Sequence, residues 1–375
     1  MRKGSVLVML AVLIVFPVIA VTEGIAEDWD AIYEAAKGEG KVVIYSLSSR
    51  IFDAVESFQE KYPGIEVEAS DMLTVDQIEK LTREQAAGVY NVDVLHLADV
   101  TTLTKEVLPQ GLIENYVPET LLGGQRSEDV IPEYLREPLL AQSLESKVVF
   151  YNFESYPEAP VDTLWDLTRP EWKGRVQMKD PLQSVENMNF LQTIVQHADD
   201  MAKIYEEEFG EPITLRSGVE NAGYEYILRL VENDLVLTTS DGDASKAVGA
   251  AGQTDPPLTF SVASSKLRNN KKGLKLAIAW DLKPVVGFTK RNFLVLANKA
   301  PHPNAAKLLI QWLLGDEQGG AGMEPFFVPG GWPSRSDVKP PIETTLDGLK
   351  EFTWFLDPEF IYERGLDVRD FWLGL

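Results

Sequence analysis

Short apolar runs rich in β-branched residues alternate along this chain with stretches whose apolar residues recur every three or four positions. That alternation constrains the fold more than any other feature. A buried strand followed by an amphipathic helix, repeated, builds βαβ units around a mostly parallel sheet. Val42-Val43-Ile44-Tyr45 is the first such run, and Ile51, Phe52, Val55, Phe58 and Tyr62 fall on one helical stripe behind it. Pro63-Gly64 ends the helix, Ile65, Val67 and Ala69 open a second strand, Val75–Ala87 is helix-like, and Val92–Leu97 is a third strand. Before them, 27–38 reads as a helix stopped by Gly38. Pro109–Pro138 is turn-rich. The pattern resumes with strands at Lys147–Asn152, Arg175–Met178 and Val285–Leu296, and helices at Met188–Tyr205, Asn221–Val231 and Ala305–Leu314.

A chain of 375 residues is long for one core, so two domains are expected. A formal net charge of −23 leaves no basic excess to neutralise phosphates, which argues against a nucleic-acid partner. The absence of cysteine excludes disulfides, thiolate metal sites and a cysteine nucleophile. Met1-Arg2-Lys3 and the apolar run Val6–Ile19 have the form of an export signal, with small-residue cleavage sites ending at Ala20 or Ala26. Residues 1–26 are therefore expected to be a signal peptide, and the mature protein to be periplasmic or extracellular.

The stretch Leu235–Val248 ends an apolar run in a polar turn that carries Asp241 and Asp243 and leads into a small-residue helix. Strand, polar turn and helix N-terminus is the arrangement that faces a ligand at the mouth of an α/β sheet. The turn begins like a calcium loop, but Lys246 stands where such a loop needs glycine and Gly252 where it needs glutamate. Capping is the simpler role for part of it, with Ser240 as N-cap and Asp243 three residues on. His96, His197 and His302 show no metal-ligand spacing, and His96 reads as a packed strand residue. No nucleophile elbow, phosphate loop or dinucleotide fingerprint is present, so no cofactor, resident metal or enzymatic activity is expected.

Several blocks together resemble a known family. They are KVVIYSLSSR, NVDVLHLADV, SLESKVVFYN with DTLWDLTRPEWKGRVQMKDP, ENDLVLTTSDGDASKA, NFLVLANKAPHPNAAKLLIQWLLGDEQ and WPSRSDV. In this order they resemble the extracellular solute-binding proteins of ABC importers, in particular the group containing the ferric-iron-binding proteins. The resemblance implies an α/β, two-lobed type II periplasmic-binding-protein fold with two hinge crossovers, near Gln142–Ser146 and Pro284–Phe288. Lobe 1 would comprise 27–143 plus 285–322, and lobe 2 144–284 plus 323–375. The implied function is capture of a small polar solute or ion in the cleft and delivery to an ABC permease in the cytoplasmic membrane, by a protein acting as a monomer. A secreted hydrolase or lyase using Asp241, Asp243 or Asp180, and a ligand-sensing module, are the alternatives.

Strand C-terminal ends facing such a cleft nominate the ligand-binding residues. In the first lobe they are Ser46, Ser48, Ser49, Arg50 and Asp99; in the second, Asp180, Ser184, Asp241 and Asp243. Arg50 suits an anionic group held bidentately, and Trp280 could stack on a ligand. One departure from the family matters. Its ferric-binding members carry adjacent tyrosines where this chain has Ser240-Asp241-Gly242-Asp243, and no adjacent tyrosine pair occurs here. The serine-rich turn likewise replaces their first-lobe histidine. Carboxylates with a tryptophan would suit an organic cation, whereas serines, Arg50 and helix N-termini would suit an organic anion such as a phosphonate or carboxylate.

Overall fold

The computed structural model describes residues 27–375. The expected export signal, residues 1–26, lies outside the described residues. The chain is mixed α/β, and its main sheet is built from the units the sequence announces. The strand Lys41–Ser46, buried from Val42 onward, sits between Glu66–Asp71 and Val94–Leu97 and runs parallel to both. The helices Ile51–Lys61 and Thr74–Ala86 are the crossovers, and the first buries Ile51, Ala54, Val55 and Phe58. The first helix spans Trp29–Glu39 and ends at Gly40 rather than Gly38, because Gly40 takes the left-handed conformation (φ 75°) from which its N–H reaches the Ala36 carbonyl.

The sheet is mixed rather than mostly parallel. The long strand Gly287–Ala297 lies antiparallel to Val94–Leu97 on one side and to Ala141–Val148 on the other. The expected strand at Lys147–Asn152 thus begins earlier, at Ala141, and breaks before Phe150–Asn152, which pairs instead with Leu276–Ile278. The two long strands approach so closely at Gly287 that a Cβ there would lie 2.0 Å from the Lys147 carbonyl oxygen. Only glycine fits that approach.

A second sheet, parallel and three-stranded, holds Val176–Lys179 between Val236–Thr238 and Leu258–Thr259. Val236–Thr238 is an edge strand, with Val236 and Leu237 substantially exposed. The helices Val185–Gln196, Ala198–Phe209, Ala222–Glu232 and Asp241–Gly249 follow its strands. The expected helix Met188–Tyr205 is two helices broken at His197. The C-terminal helix Pro358–Leu373 packs against Val185–Gln196. Among the described residues, no helix is long and apolar enough to cross a membrane.

Candidate functional site

Two cavities lie where the strand ends of the main sheet approach those of the second. The larger encloses about 900 Å³. The turns after Lys41–Ser46, Glu66–Asp71 and Val94–Leu97 contribute Leu47, Leu73 to Val75, and Ala98 to Thr102 to one side. Lys179, Pro181 to Glu186, and one face of the C-terminal helix contribute the other. Its mouth carries large apolar side chains in the open, with Leu73 and Leu366 each 70% and Leu182 45% exposed.

The smaller cavity, about 190 Å³, is a recess beside it; Leu47 and Lys290 line both. Its chemistry is different. Arg50, Lys266, Arg268 and Lys290 converge on it, joined by the carboxylates Glu145 and Asp241 and by Ser48, His96, Ser265 and Asn292. Lys290 stands between two carboxylates, its Nζ 3.8 Å from Glu145 and 3.6 Å from Glu186. Burial opposes its charge, but Glu186 and Glu145 outweigh burial and the net shift is upward. The carboxylates respond in kind. Burial would raise Glu186, yet Lys290 and Lys147 hold it at about 2, and Lys290 and Arg50 keep Glu145 below its ordinary range.

Asp241 begins the helix Asp241–Gly249, and its Oδ2 accepts from Lys147 Nζ at 2.8 Å and from the Ala263 amide at 3.0 Å. The Lys147 side chain is 4% exposed, so this is a nearly dry ion pair. It keeps Asp241 ionised despite its burial. Arg50 reaches only 3.7 Å from Glu145. Lys266 and Arg268 lie on the helical segment Ser264–Lys272. Among the described residues, Lys266 has no ion pair, and Arg268 donates only to the carbonyl and hydroxyl of Ser265. Both are pushed down by burial and then by neighbouring cations, Arg268 beside Lys266 and Arg50 beside Arg268. His96 is held near 3, first by burial and then by Lys290 and Arg50, so it is neutral.

The structure brings Ser48, Arg50 and Asp241 together at the recess, and Asp99 and Ser184 at the larger cavity. Asp99 accepts from the amide and hydroxyl of Thr102; burial, opposed by those bonds, raises its carboxyl. Ser184 is the N-cap of Val185–Gln196 and donates to Glu186. The remaining expected residues line neither cavity. Ser46 is fully buried, its hydroxyl engaged with His96 and Ser48; Ser49 is exposed. Asp180 caps the turn Pro181–Gln183, and Asp243 accepts from Thr239 and Ser240 hydroxyls. Trp280 packs between two hydrophobic clusters. Glu145, Lys147, Lys266, Arg268 and Lys290 were not expected from sequence. For Lys147 and Lys290, the available signal is a cation embedded in a strand run that is otherwise buried.

Residues 53–350 match the family model for bacterial extracellular solute-binding proteins. The chain belongs to that family. It is a solute-binding component of the ABC-transporter type, and the hydrolase or lyase alternative gains no support from this assignment. No curated protein sequence matches it. Among solved structures, iron-bound HitA from Pseudomonas aeruginosa is 18% identical with a TM-score of 0.66, covering 89% of this chain and 99% of that one. The ferric binding protein from Campylobacter jejuni is 19% identical with a TM-score of 0.62, covering 89% and 98%. An ABC-transporter substrate-binding protein from Agrobacterium tumefaciens is 15% identical with a TM-score of 0.62, covering 90% and 95%. At these identities the likeness is one of fold, and the fold is that of periplasmic binding proteins.

Proposed function

We propose that this solute-binding protein captures a small organic or inorganic anion, with the recess beside the cleft as its charge-recognition site. The observation that carries this is the surplus of cations there. Arg50 and Lys290 share Glu145, Lys290 also meets Glu186, Asp241 is taken by Lys147, and Lys266 and Arg268 lack carboxylate partners among the described residues. Gathering like charges in a partly dry site costs stability unless something of opposite sign enters. A carboxylate, phosphate or phosphonate group does so and takes charge-assisted hydrogen bonds from Arg268 and Lys266. HitA from Pseudomonas aeruginosa, one of the neighbours, is iron-bound. Iron(III) does not suit the donors here. Ammonium and guanidinium groups repel a cation, and among the described residues no cluster of histidine, aspartate or glutamate could hold a metal ion. An organic cation meets the same repulsion.

The division into lobes at 27–143 plus 285–322 and 144–284 plus 323–375 belongs to this proposal. So do export through residues 1–26 to the periplasm or cell exterior, monomeric action, and transfer to a cytoplasmic-membrane permease. Ligand binding would draw the two sides of the cleft together through contacts made only when both meet the solute. Thermal-shift titration of the mature protein against inorganic phosphate, alkylphosphonates, carboxylates, polyamines and iron(III) tests the reading. Stabilisation by one or more anions that disappears in Arg268→Ala supports it. Stabilisation by a polyamine or iron alone overturns it.

A further inference from the structure

The recess contains more than cations. Three polar atoms of its lining residues are buried and have no hydrogen-bond partner among the described residues: Asp241 Oδ1, Asn292 Oδ1 and His96 Nε2. Each belongs to a side chain whose other polar atom is already fixed. Asp241 Oδ2 is held by Lys147 and the Ala263 amide. Asn292 Nδ2 donates to Ser143 Oγ at 3.2 Å, which turns Oδ1 the other way. His96 Nδ1 lies 2.9 Å from Ser46 Oγ. Asn292 and His96 are 5% and 1% exposed, so bulk water does not serve them. Buried polar groups in native proteins nearly always have partners. A lining that supplies cations and leaves two acceptor oxygens, Asp241 Oδ1 and Asn292 Oδ1, without partners therefore describes its occupant twice.

The second description is the more selective. An ionised carboxylate accepts hydrogen bonds and donates none. Lys147 keeps Asp241 ionised, and no charge-neutral route exists for an acceptor-only oxygen to sit against Oδ1. Such an oxygen would meet lone pairs. A hydroxyl, a protonated phosphoryl oxygen or an ammonium group would instead donate to Oδ1, while its anionic oxygens take Arg268, Lys266 and Arg50.

Resting on the anion reading above, we infer that the recess selects anions that also carry a hydrogen-bond donor, such as hydrogen phosphate, a hydrogen phosphonate, or a hydroxy- or amino-carboxylate. Asp241 Oδ1 is the specificity-determining atom. Fully deprotonated anions of similar size and shape, such as sulfate, are rejected because they leave that carboxylate oxygen facing another acceptor. Sites that hydrogen-bond a particular group discriminate strongly against analogues lacking it.

Calorimetric titration of the mature protein near neutral pH with matched pairs tests this. The pairs are inorganic phosphate or methylphosphonate against sulfate, and glycolate against acetate. The expected result is that the donor-bearing member of at least one pair binds at least about 100-fold more tightly, and that Asp241→Asn, whose amide can donate, closes most of the gap. Asp241→Asn also weakens the Lys147 pair. The paired Lys147→Gln, Asp241→Asn protein, which removes both charges, gives the same readout if the single variant does not fold. Sulfate or acetate binding as tightly as its partner to the unaltered protein overturns the inference and leaves the anion reading standing. Binding by no member of the panel, with stabilisation by a polyamine or iron(III), overturns both.

Discussion

The two cavities differ as a lock differs from a jaw. The recess is small and charge-dense, and its side chains are tied to one another across the strands Ala141–Val148 and Gly287–Ala297. The cleft is several times larger and lipped by exposed leucines. Charge groups in a small, partly dry space are specific because each misplaced charge is expensive. Apolar lips are non-directional: they report how much surface is covered and say little about chemical identity. On the proposed function, recognition falls to the recess and the driving force for closure to the cleft. Substitutions in the two regions should therefore fail in different ways.

The sharpest separation is expected at Lys290, which both cavities share. Lys290→Met removes the cation between Glu145 and Glu186 and should destabilise the protein by about 3–5 kcal/mol, read by urea unfolding, because buried carboxylates lose their counter-charge. A change below about 1 kcal/mol would mean that solvent already screens the pair. Next is Lys266→Ala combined with Arg268→Ala. Neither residue is in an ion pair among the described residues, so folding stability should be retained or improved, while anion affinity falls about 100-fold or more. Loss of stability together with affinity would mean that these cations are structural.

Acid should act on the recess before the cleft. Unfolded histidine takes a proton below about 6.5, whereas folded His96 resists one until about 3, so its contribution is complete above 6.5 and is lost as pH falls towards 3. Glu186, ordinarily near 4.5 and held at about 2, contributes fully above 4.5 and loses that contribution as pH falls towards 2. Urea unfolding should show stability dropping by up to about 1.4 kcal/mol per pH unit below 6.5 from His96 alone. His96→Gln should flatten the segment between 6.5 and 4.5. A midpoint unchanged between pH 7 and 5 would show that His96 does not resist protonation in the folded protein.

On the cleft side, Leu73→Ser and Leu182→Ser should leave the free protein's stability nearly unchanged. If the lips meet on closure, each loses part of a buried leucine, about 1 kcal/mol, and so weakens binding roughly fivefold. Equal affinities with the same ligand-induced compaction in small-angle scattering would show that the lips stay apart. The smallest effect is expected at Asp243, whose carboxylate serves the local cap. Asp243→Ala should leave anion affinity intact, in contrast to Asp241→Ala two residues earlier.

Much of the architecture is written in local periodicity. The runs around Val42–Tyr45 and Val94–Leu97, and the stripe from Ile51 to Phe58, state strand or helix within a few residues of themselves. The polar turns that close them could be found for the same reason, and Ser48, Arg50 and Asp241 were accessible as strand-end residues. Their partners were not. Glu145, Lys147 and Lys290 sit inside strands, and a single charge in a strand does not disclose which residue it meets. Lys147 and Asp241 are separated by 94 positions in the chain. Lys266 and Arg268 carry no pattern in the sequence that points to Arg50; only the fold sets Ser264–Lys272 beside it. Asp243 was legible as the cap partner of Ser240, but nothing in the sequence tied Asp241 to Lys147. The helix geometry turns one towards Lys147 and leaves the other capping the turn in solvent.

Native mass spectrometry of the protein purified from cells that make it would weigh what the recess carries. The expected result is a bound anion, identifiable after release in negative-ion mode, that is missing from Lys266→Ala, Arg268→Ala protein prepared in parallel. A carried iron or polyamine, or the same anion retained in full by that variant, would contradict it.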